Sequence, residues 1–167
     1  MEGTPNLHCV SDDLYRGAQP DEAGFRLLRK LGVRTIVSFR AAQDGPVPVA
    51  EGMTSVHIPL AATHCPDDRQ VVQFLRLFSD RRNLPVFVHC RLGADRAGMM
   101  CALYRVAVQG WTKRQAIDEM TRGGFGYHAS FDDLVEYVQN ADIARLRREA
   151  NLPASTAPST RVAATNG

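Results

Sequence analysis

The sequence contains little lysine and no strong charge imbalance. Lys30 and Lys113 are the only lysines, so arginine carries nearly all of the positive charge. The formal net charge of +2 over 167 residues is too small to indicate a nucleic-acid partner or a stable membrane association. No signal peptide is recognisable at the start, and Arg105 interrupts the best candidate for a membrane span. These features predict a cytoplasmic protein, which we expect to act as a monomer.

The sequence also lacks the short Cys-x-x-Cys spacing that is typical of structural zinc sites. Its four cysteines are Cys9, Cys65, Cys90 and Cys101. In a reducing cytoplasm, and with a chain long enough to bury a core, we expect these thiols to stay reduced. We predict no metal and no cofactor.

Strand-like and helix-like segments alternate along the chain. The segment Leu7 to Gly17 predicts two short strands or a hairpin, and short apolar runs predict strands at Thr35 to Phe39, Thr54 to Leu60 and Pro85 to His89. This alternation predicts an α/β fold with a central mixed sheet flanked by helices on both faces. We expect residues 1–150 to form one catalytic domain. Residues 151–167, rich in Pro, Ala, Ser and Thr without periodicity, predict a disordered tail.

Capping residues indicate where the helices begin. Pro20 and the acidic residues after it predict the first helix, and Asp67 or Asp68 predicts the start of a second that reaches about Arg82. The apolar segment from Ala97 to Gln109 predicts a central helix. Two further helices are predicted by capping boxes, Thr112-x-x-Gln115 and Ser130-x-x-Asp133.

The segment from Cys90 to Arg96 is the most informative part of the chain. A cysteine ends a buried strand, five residues follow, and Arg96 begins a helix. Backbone N–H groups in so tight a curve form an anion-binding nest, to which the helix N-terminus adds its positive end. Gly93 allows the sharpest part of the curve, and the planar fork of Arg96 suits two phosphate oxygens.

These residue types together indicate nucleophilic catalysis. A helix N-terminus and a nearby arginine favour the thiolate, so we expect Cys90 to be largely ionised at neutral pH and to form a phosphocysteine intermediate. The substrate-binding residues are predicted to be Arg91, Leu92, Gly93, Ala94, Asp95 and Arg96. Arg91 has an alternative role as a solvated side chain, and His89 either orients the loop or is purely structural. Arg16 and Arg40, at the ends of predicted strands, are candidates for the rim of the pocket.

The pattern His89-Cys90-x-x-Gly93-x-x-Arg96 resembles the signature loop of the protein tyrosine phosphatase superfamily. The compact length resembles its small, atypical dual-specificity branch. The segment Leu14 to Pro20 is similar to the Tyr-Arg-Ser-Gly-Gln-Pro-like start of such domains. The resemblance covers roughly Leu7 to Gln139 and implies a sheet flanked by helices, phosphomonoester hydrolysis and no metal.

The chain departs from that family at Ala97. The family usually has serine or threonine directly after the loop arginine, where the hydroxyl stabilises the leaving thiolate as the intermediate breaks down. Alanine at this position predicts slower hydrolysis of the phosphoenzyme, so that the intermediate accumulates.

The general acid is the second departure, because the family's Trp-Pro-Asp loop is absent. Asp67 and Asp68 are the nearest upstream carboxylates, with helix capping as their alternative role, and His64 is a further candidate. Asp95 lies inside the loop and resembles the Asp-Arg pair of the myotubularin lipid phosphatases. It is the first candidate, with Asp67 second; its alternative role is to hold the loop's shape. Cys65 and Cys101 are candidates for a resolving thiol that protects Cys90 from oxidation.

Two other functions remain open from the sequence. A rhodanese-like sulfurtransferase also uses a cysteine in an anion-binding loop, and a pseudophosphatase would bind phosphorylated partners without turnover. The loop from Ala41 to Gly52 contains Asp44 and Glu51 and no basic residue, which disfavours a highly anionic inositol substrate. A phosphotyrosine-like aryl phosphate is the predicted substrate.

Overall fold

The computed structural model describes residues 3–43, 51–61 and 65–153. Within these ranges the chain forms five strands and six α-helices. The strands are β1 (His8–Ser11), β2 (Leu14–Gly17), β3 (Thr35–Ser38), β4 (Thr54–His57) and β5 (Val86–His89). The helices are α1 (Glu22–Lys30), α2 (Asp68–Arg76), α3 (Asp95–Ala107), α4 (Lys113–Arg122), α5 (Asp132–Asn140) and α6 (Ile143–Glu149).

The strands form one sheet in the order β1-β2-β5-β3-β4. β1 pairs antiparallel with β2, as the predicted hairpin requires, and the other pairs are parallel, so the prediction of a mixed α/β sheet is confirmed. β5 lies in the middle, with His89 opposite Gly17 on one side and Ser38 on the other. The carboxyl ends of parallel strands meet at one edge of a sheet, where ligands bind in such folds. The chain therefore leaves the sheet at Cys90 in the centre of that edge.

Helices cover both faces of the sheet. Phe87 of β5 and Ile36 of β3 pack with Phe25 and Leu28 of α1 on one face. Val86 and Val88, which alternate with Phe87, belong to the larger core on the other face, together with α3. Nine of the 13 residues of α3 are buried, which confirms that this helix is central.

The helices differ from the predictions in three places. α2 ends at Arg76, and short 3-10 turns at Leu77–Ser79 and Arg81–Asn83 replace the expected last turns. The carboxylate of Asp80 accepts a hydrogen bond from the Arg82 amide at 2.9 Å, which starts a new turn instead of continuing the helix.

The capping box predicted at Ser130 is wrong. α5 begins two residues later, at Asp132, with Phe131 at its N-cap and no side-chain cap. A further helix, α6, was not predicted; it has seven residues, its cap is Asp142, and Leu146 is its one buried residue. A helix this short with a single core residue has too little hydrophobic periodicity to be recognised.

Several predicted segments lie outside the described residues. They are most of the loop from Ala41 to Gly52, the candidate acid His64, and residues 154–167 of the predicted tail. In the part of the chain that the structure describes, no helix combines the length and hydrophobicity that a bilayer crossing requires.

Candidate active site

The loop after β5 makes the turn that the sequence predicts. Cys90 is only 3% exposed, and α3 begins five residues later at Asp95. Gly93 has φ +72°, and a Cβ on this residue would lie 2.3 Å from the carbonyl carbon of Gly17. Only glycine fits both this backbone conformation and this close approach to the end of β2.

Four successive carbonyl groups of the loop are held by the protein behind it. The carbonyl of Arg91 accepts from the Gln19 amide at 3.3 Å, and that of Leu92 from Asn6 Nδ2 at 3.1 Å. Arg16 Nη2 donates to the carbonyls of Gly93 and Ala94, at 2.8 and 3.0 Å. In a trans peptide the N–H group points away from the carbonyl before it, so the N–H groups that follow these carbonyls face the opposite side. This arrangement builds the anion nest.

Arg16 does not rim the pocket, and that prediction is wrong. Its side chain is 1% exposed and lies behind the loop, with the guanidinium carbon 4.1 Å from the centre of the Phe125 ring. The residue is fixed there because it lies in β2, the direct neighbour of β5 in the sheet. A buried cation behind the loop adds to the positive potential at the nest.

Arg96 is held by the ends of two other strands. Its Nη1 donates to the carbonyls of Phe39 and Leu60, at 3.2 and 3.1 Å, just beyond β3 and β4. These contacts orient the guanidinium and leave the edge formed by Nε and Nη2 for a bidentate contact with an anion. At the start of α3, Ala94 provides no side-chain cap, so the first-turn N–H groups have no side-chain acceptor.

A cavity of about 310 Å³ opens at Cys90. The described residues that line it are Cys90, Arg91, Leu92, Asp95, Arg96, His128, Ser130 and Phe131. The structure thus brings together the predicted nucleophile, the phosphate-binding arginine and the first candidate acid. Gly93 and Ala94, in the same loop, are buried and are not among the residues that line this cavity.

Three residues that line the cavity come from the connection between α4 and α5: His128, Ser130 and Phe131. They were not recognised as site residues in the sequence. The only local signal is the glycine-broken segment from Gly123 to Gly126, which predicts a loop but not its position.

Asp95 is hydrogen-bonded to His128. Its Oδ1 accepts from the His128 amide at 2.8 Å, and the His128 ring nitrogen Nδ1 lies 3.1 Å from Oδ1 and 3.0 Å from Oδ2. The side chain of Asp95 is 14% exposed and that of His128 is 50% exposed. Asp95 is therefore part of a pair that faces the cavity.

Asp67 and Asp68 make structural contacts. Asp67 caps α2: it accepts from the Arg69 amide at 2.9 Å, and Gln70 completes the capping box. Asp68 accepts from Tyr137 and pairs with Arg145. Neither carboxylate lines the cavity at Cys90 in the described part of the chain. A catalytic role for Asp67 stays a prediction, and the capping alternative accounts for its contacts.

The other cysteines are poor candidates for a resolving thiol. Cys101 is completely buried, and burial raises the pKa of its thiol to about 11. Cys65 donates its S–H to the carbonyl of Asp133 at 3.2 Å, and burial followed by the Asp133 carboxylate raises the pKa of this thiol as well. Both thiols are disfavoured as thiolates, the form that attacks an oxidised cysteine.

The remaining predicted residues lie around the loop. His89 is fully buried at the end of β5, with its ring stacked on Phe87 at a centroid distance of 5.8 Å, which fits a role in holding the strand end. Arg91 is exposed at the cavity. Arg40 donates to Gln19 Oε1 at 3.1 Å, and Gln19 in turn contacts the loop through its amide.

Comparison with known proteins decides the family. The family described as "DSP-PTPase phosphatase fused to NAD+ Kinase" matches residues 8–134. The chain belongs to this dual-specificity branch of the protein tyrosine phosphatases. It is 41% identical over 147 residues to the dual specificity protein phosphatase TpbA of Pseudomonas aeruginosa, covering 85% of this chain and 65% of that protein. The chain thus spans somewhat less than two thirds of the length of this relative.

Solved structures agree with this assignment. A crystal structure of P. aeruginosa TpbA in complex with phosphotyrosine is 36% identical, with a TM-score of 0.77 over 89% of this chain and 91% of that one. The catalytic core of the yeast PP-IP phosphatase SIW14 has a TM-score of 0.73 over 90% of this chain and 97% of that one; at 20% identity, it shares the fold. Among curated relatives, the inositol diphosphatase DSP5 of Arabidopsis thaliana is 27% identical over 154 residues, covering 86% of this chain and 73% of that protein.

Proposed function

We propose that this protein is a cysteine-dependent phosphatase of the tyrosine and dual-specificity type, which hydrolyses phosphomonoesters through a phosphocysteine. One observation carries the proposal: four consecutive carbonyls of the loop from Arg91 to Ala94 are tied back by the protein. Because the carbonyls point backwards, we expect the N–H groups that follow them to point the other way, toward the cavity in which Cys90 and Arg96 lie. N–H groups arranged in this way form a concavity that binds an oxyanion.

The reaction follows from the placement of these groups. The phosphate binds to the loop N–H groups and to the free edge of Arg96, and the Cys90 sulfur attacks phosphorus. The leaving oxygen is protonated on the side of the cavity where the pair of Asp95 and His128 lies. Water then attacks the phosphocysteine, which releases phosphate and regenerates the thiolate.

An aryl phosphate is the proposed substrate. Leu92 is 52% exposed at the cavity, and Phe131 lines the wall beside it, so the mouth offers apolar surface to an aromatic ring. The TpbA structure in complex with phosphotyrosine supports the same class of substrate.

We also propose that the protein acts as a monomer in the cytoplasm. All four cysteines are free thiols, which suits a reducing compartment. Light scattering on the purified chain tests the monomer, and fractionation of cells tests the compartment.

Phosphate release from a panel of substrates tests the function. The panel contains phosphotyrosine and phosphoserine peptides, inositol phosphates and phosphoinositides, with the parent protein beside Cys90→Ser and Cys65→Ser. We expect Cys90→Ser to reduce turnover at least about 10³-fold, because the nucleophile is lost, and Cys65→Ser to have no effect. Folded parent protein that binds phosphopeptides without turnover would favour the pseudophosphatase alternative. Thiocyanate production from thiosulfate would favour the sulfurtransferase.

A further inference from the structure

The contact between Asp95 and His128 raises the question of which group carries the proton. Oδ1 of the Asp95 carboxyl group accepts a hydrogen bond from the His128 backbone amide, and Oδ1 and Oδ2 lie 3.1 and 3.0 Å from the ring nitrogen Nδ1. An ionised carboxyl group accepts hydrogen bonds and donates none, and both oxygens of Asp95 are already in contact with His128. Asp95 is therefore poorly arranged to deliver a proton itself.

We propose that His128 is the proton donor of this site and that the Asp95 carboxylate positions its ring. The proposal rests on the proposed function, because it assigns the acid of that same reaction. A carboxylate at Nδ1 fixes the hydrogen of that nitrogen and leaves Nε2 as the ring atom that exchanges a proton with a partner. His128 lines the same cavity as Cys90 and Arg96, so that partner is the substrate.

The segment that carries His128 is itself held in place. The His128 ring meets the edge of the Phe131 ring at a centroid distance of 6.2 Å. Tyr127 donates to the carbonyl of Phe131. Burial, followed by the charges of Asp95, Asp132 and Asp133, raises the pKa of Tyr127 to about 12, which keeps its hydroxyl a neutral donor. A side chain fixed at its ring nitrogen, at its amide and against a neighbouring aromatic ring is oriented before the substrate arrives.

The proton balance over the two steps is complete. In the first step the S–P bond forms and the P–O bond to the leaving group breaks, while the proton on Nε2 of the imidazolium passes to the leaving oxygen. In the second step neutral His128 accepts a proton from the attacking water at Nε2, the S–P bond breaks, and Cys90 leaves as thiolate. The site returns to its starting state without any further reactant.

Dependence on the leaving group distinguishes proton donation from a structural role. The leaving oxygen of an alkyl phosphate needs to be protonated, because an alkoxide is strongly basic. The leaving group of p-nitrophenyl phosphate is p-nitrophenolate, a weak base that departs readily without a proton. The informative variant is His128→Asn, because the asparagine amide can still donate to Asp95 in the place of Nδ1 but cannot transfer a proton. We expect kcat/KM for an alkyl phosphate to fall about 10²- to 10³-fold, and that for p-nitrophenyl phosphate to fall less than about threefold.

Four further variants complete the test. Asp95→Asn is expected to produce the same selective loss, and the double variant no more than His128→Asn alone, because the two residues act as one unit. His128→Ala is expected to recover alkyl-phosphate turnover when free imidazole is added. His8→Gln is the matched control: His8 packs on Phe125 but does not line the cavity, so the ratio of the two activities is expected to stay at the parent value.

The outcomes separate this proposal from the proposed function. Turnover that survives in Cys90→Ser would overturn the proposed function whatever His128 does. If Cys90→Ser is inactive, and His128→Asn lowers kcat/KM equally for both substrates or for neither of them, His128 is not the donor. A selective loss in Asp67→Asn or His64→Gln, with none in His128→Asn, would also overturn the proposal and return the acid to the upstream loop. Unchanged thermal unfolding of each variant excludes misfolding as the cause.

Discussion

Two cavities in the described part of the protein each contain a cysteine, at least one carboxylate and at least one arginine, yet they differ in electrostatics. The cavity of about 310 Å³ at Cys90 lies at a helix N-terminus, with Arg96 beside the thiol and Arg16 buried behind the loop. The cavity of about 400 Å³ at Cys65 contains four acidic residues, Asp68, Asp133, Glu136 and Asp142, and one arginine, Arg145, which is paired with Asp68.

The difference shows that residue types alone do not make a nucleophilic site. In the Cys65 cavity the thiol donates to the carbonyl of Asp133, and burial, followed by the charge of the Asp133 carboxylate, raises its pKa. In the Cys90 cavity, Arg91 and Arg96 line the wall and Arg16 lies buried behind the loop, and these positive charges favour a bound anion. The orientation of the backbone dipoles and the sign of the nearest charges distinguish a phosphate site from an ordinary surface cavity.

The largest expected effect comes from breaking the backbone shape that only the Cys90 cavity has. Gly93→Ala places a Cβ 2.3 Å from Gly17, at a positive φ, so we expect the free energy of unfolding to fall by about 3 kcal/mol and kcat/KM by about 100-fold. The measurements are urea unfolding and phosphate release.

Gly124→Ala provides the control for that prediction. Gly124 has φ +81°, and no atom lies within 4 Å of the position of an added Cβ. Gly124→Ala is therefore expected to lower the free energy of unfolding by about 1 kcal/mol, through the cost of a positive φ without any steric clash. Equal destabilisation by the two variants would mean that the close approach of the loop to β2 contributes nothing.

A smaller effect is expected at Ala97, the residue directly after Arg96. Ala97 is buried in the first turn of α3 and offers no hydroxyl to the sulfur that leaves during the second step. Ala97→Ser adds one, and a hydrogen bond to a charged atom of about 1.5 kcal/mol predicts about tenfold faster breakdown of the phosphoenzyme. Rapid-quench measurement of the first turnover checks this: the burst of the parent should shrink in the variant. An unchanged burst and an unchanged steady-state rate would contradict it.

The smallest expected effect concerns Cys65. Because burial and then Asp133 raise the pKa of this thiol, Asp133→Asn lowers that pKa and increases the thiolate fraction at pH 8. We expect iodoacetamide to alkylate Cys65 about two- to threefold faster, as measured by mass spectrometry of the peptides. The rate at Cys9 should not change, and Cys101, with its pKa raised to about 11, should stay unmodified in both proteins. A Cys65 rate that is independent of Asp133 would show that the carboxylate does not control this thiol.

The sequence predictions were accurate where the signal lies among neighbouring residues and failed where it depends on residues far apart in the chain. The hairpin, the buried strand before Cys90 and the central helix after it were predicted because their signals lie within a few neighbouring residues. The capping box at Thr112 was predicted for the same reason. The box at Ser130 failed because a polar residue near a helix start has other roles, and here it lines the cavity. Helix α6 was missed because one buried leucine provides no periodicity.

By itself, the sequence determined that a cysteine, a glycine and an arginine share one strand-to-helix turn. This information is local, because the spacing of these residues and the continuous apolar run of β5 are properties of consecutive positions. The tertiary structure alone decided that Arg16 lies behind the loop. Arg16 donates to the carbonyl of Gly93, although the two residues are 77 positions apart in the chain. It also decided that His128 meets Asp95 across a separation of 33 residues and that Asp67 faces its own helix. The packing of strands and helices brings such distant groups together, and no spacing along the chain encodes the direction in which each side chain then points.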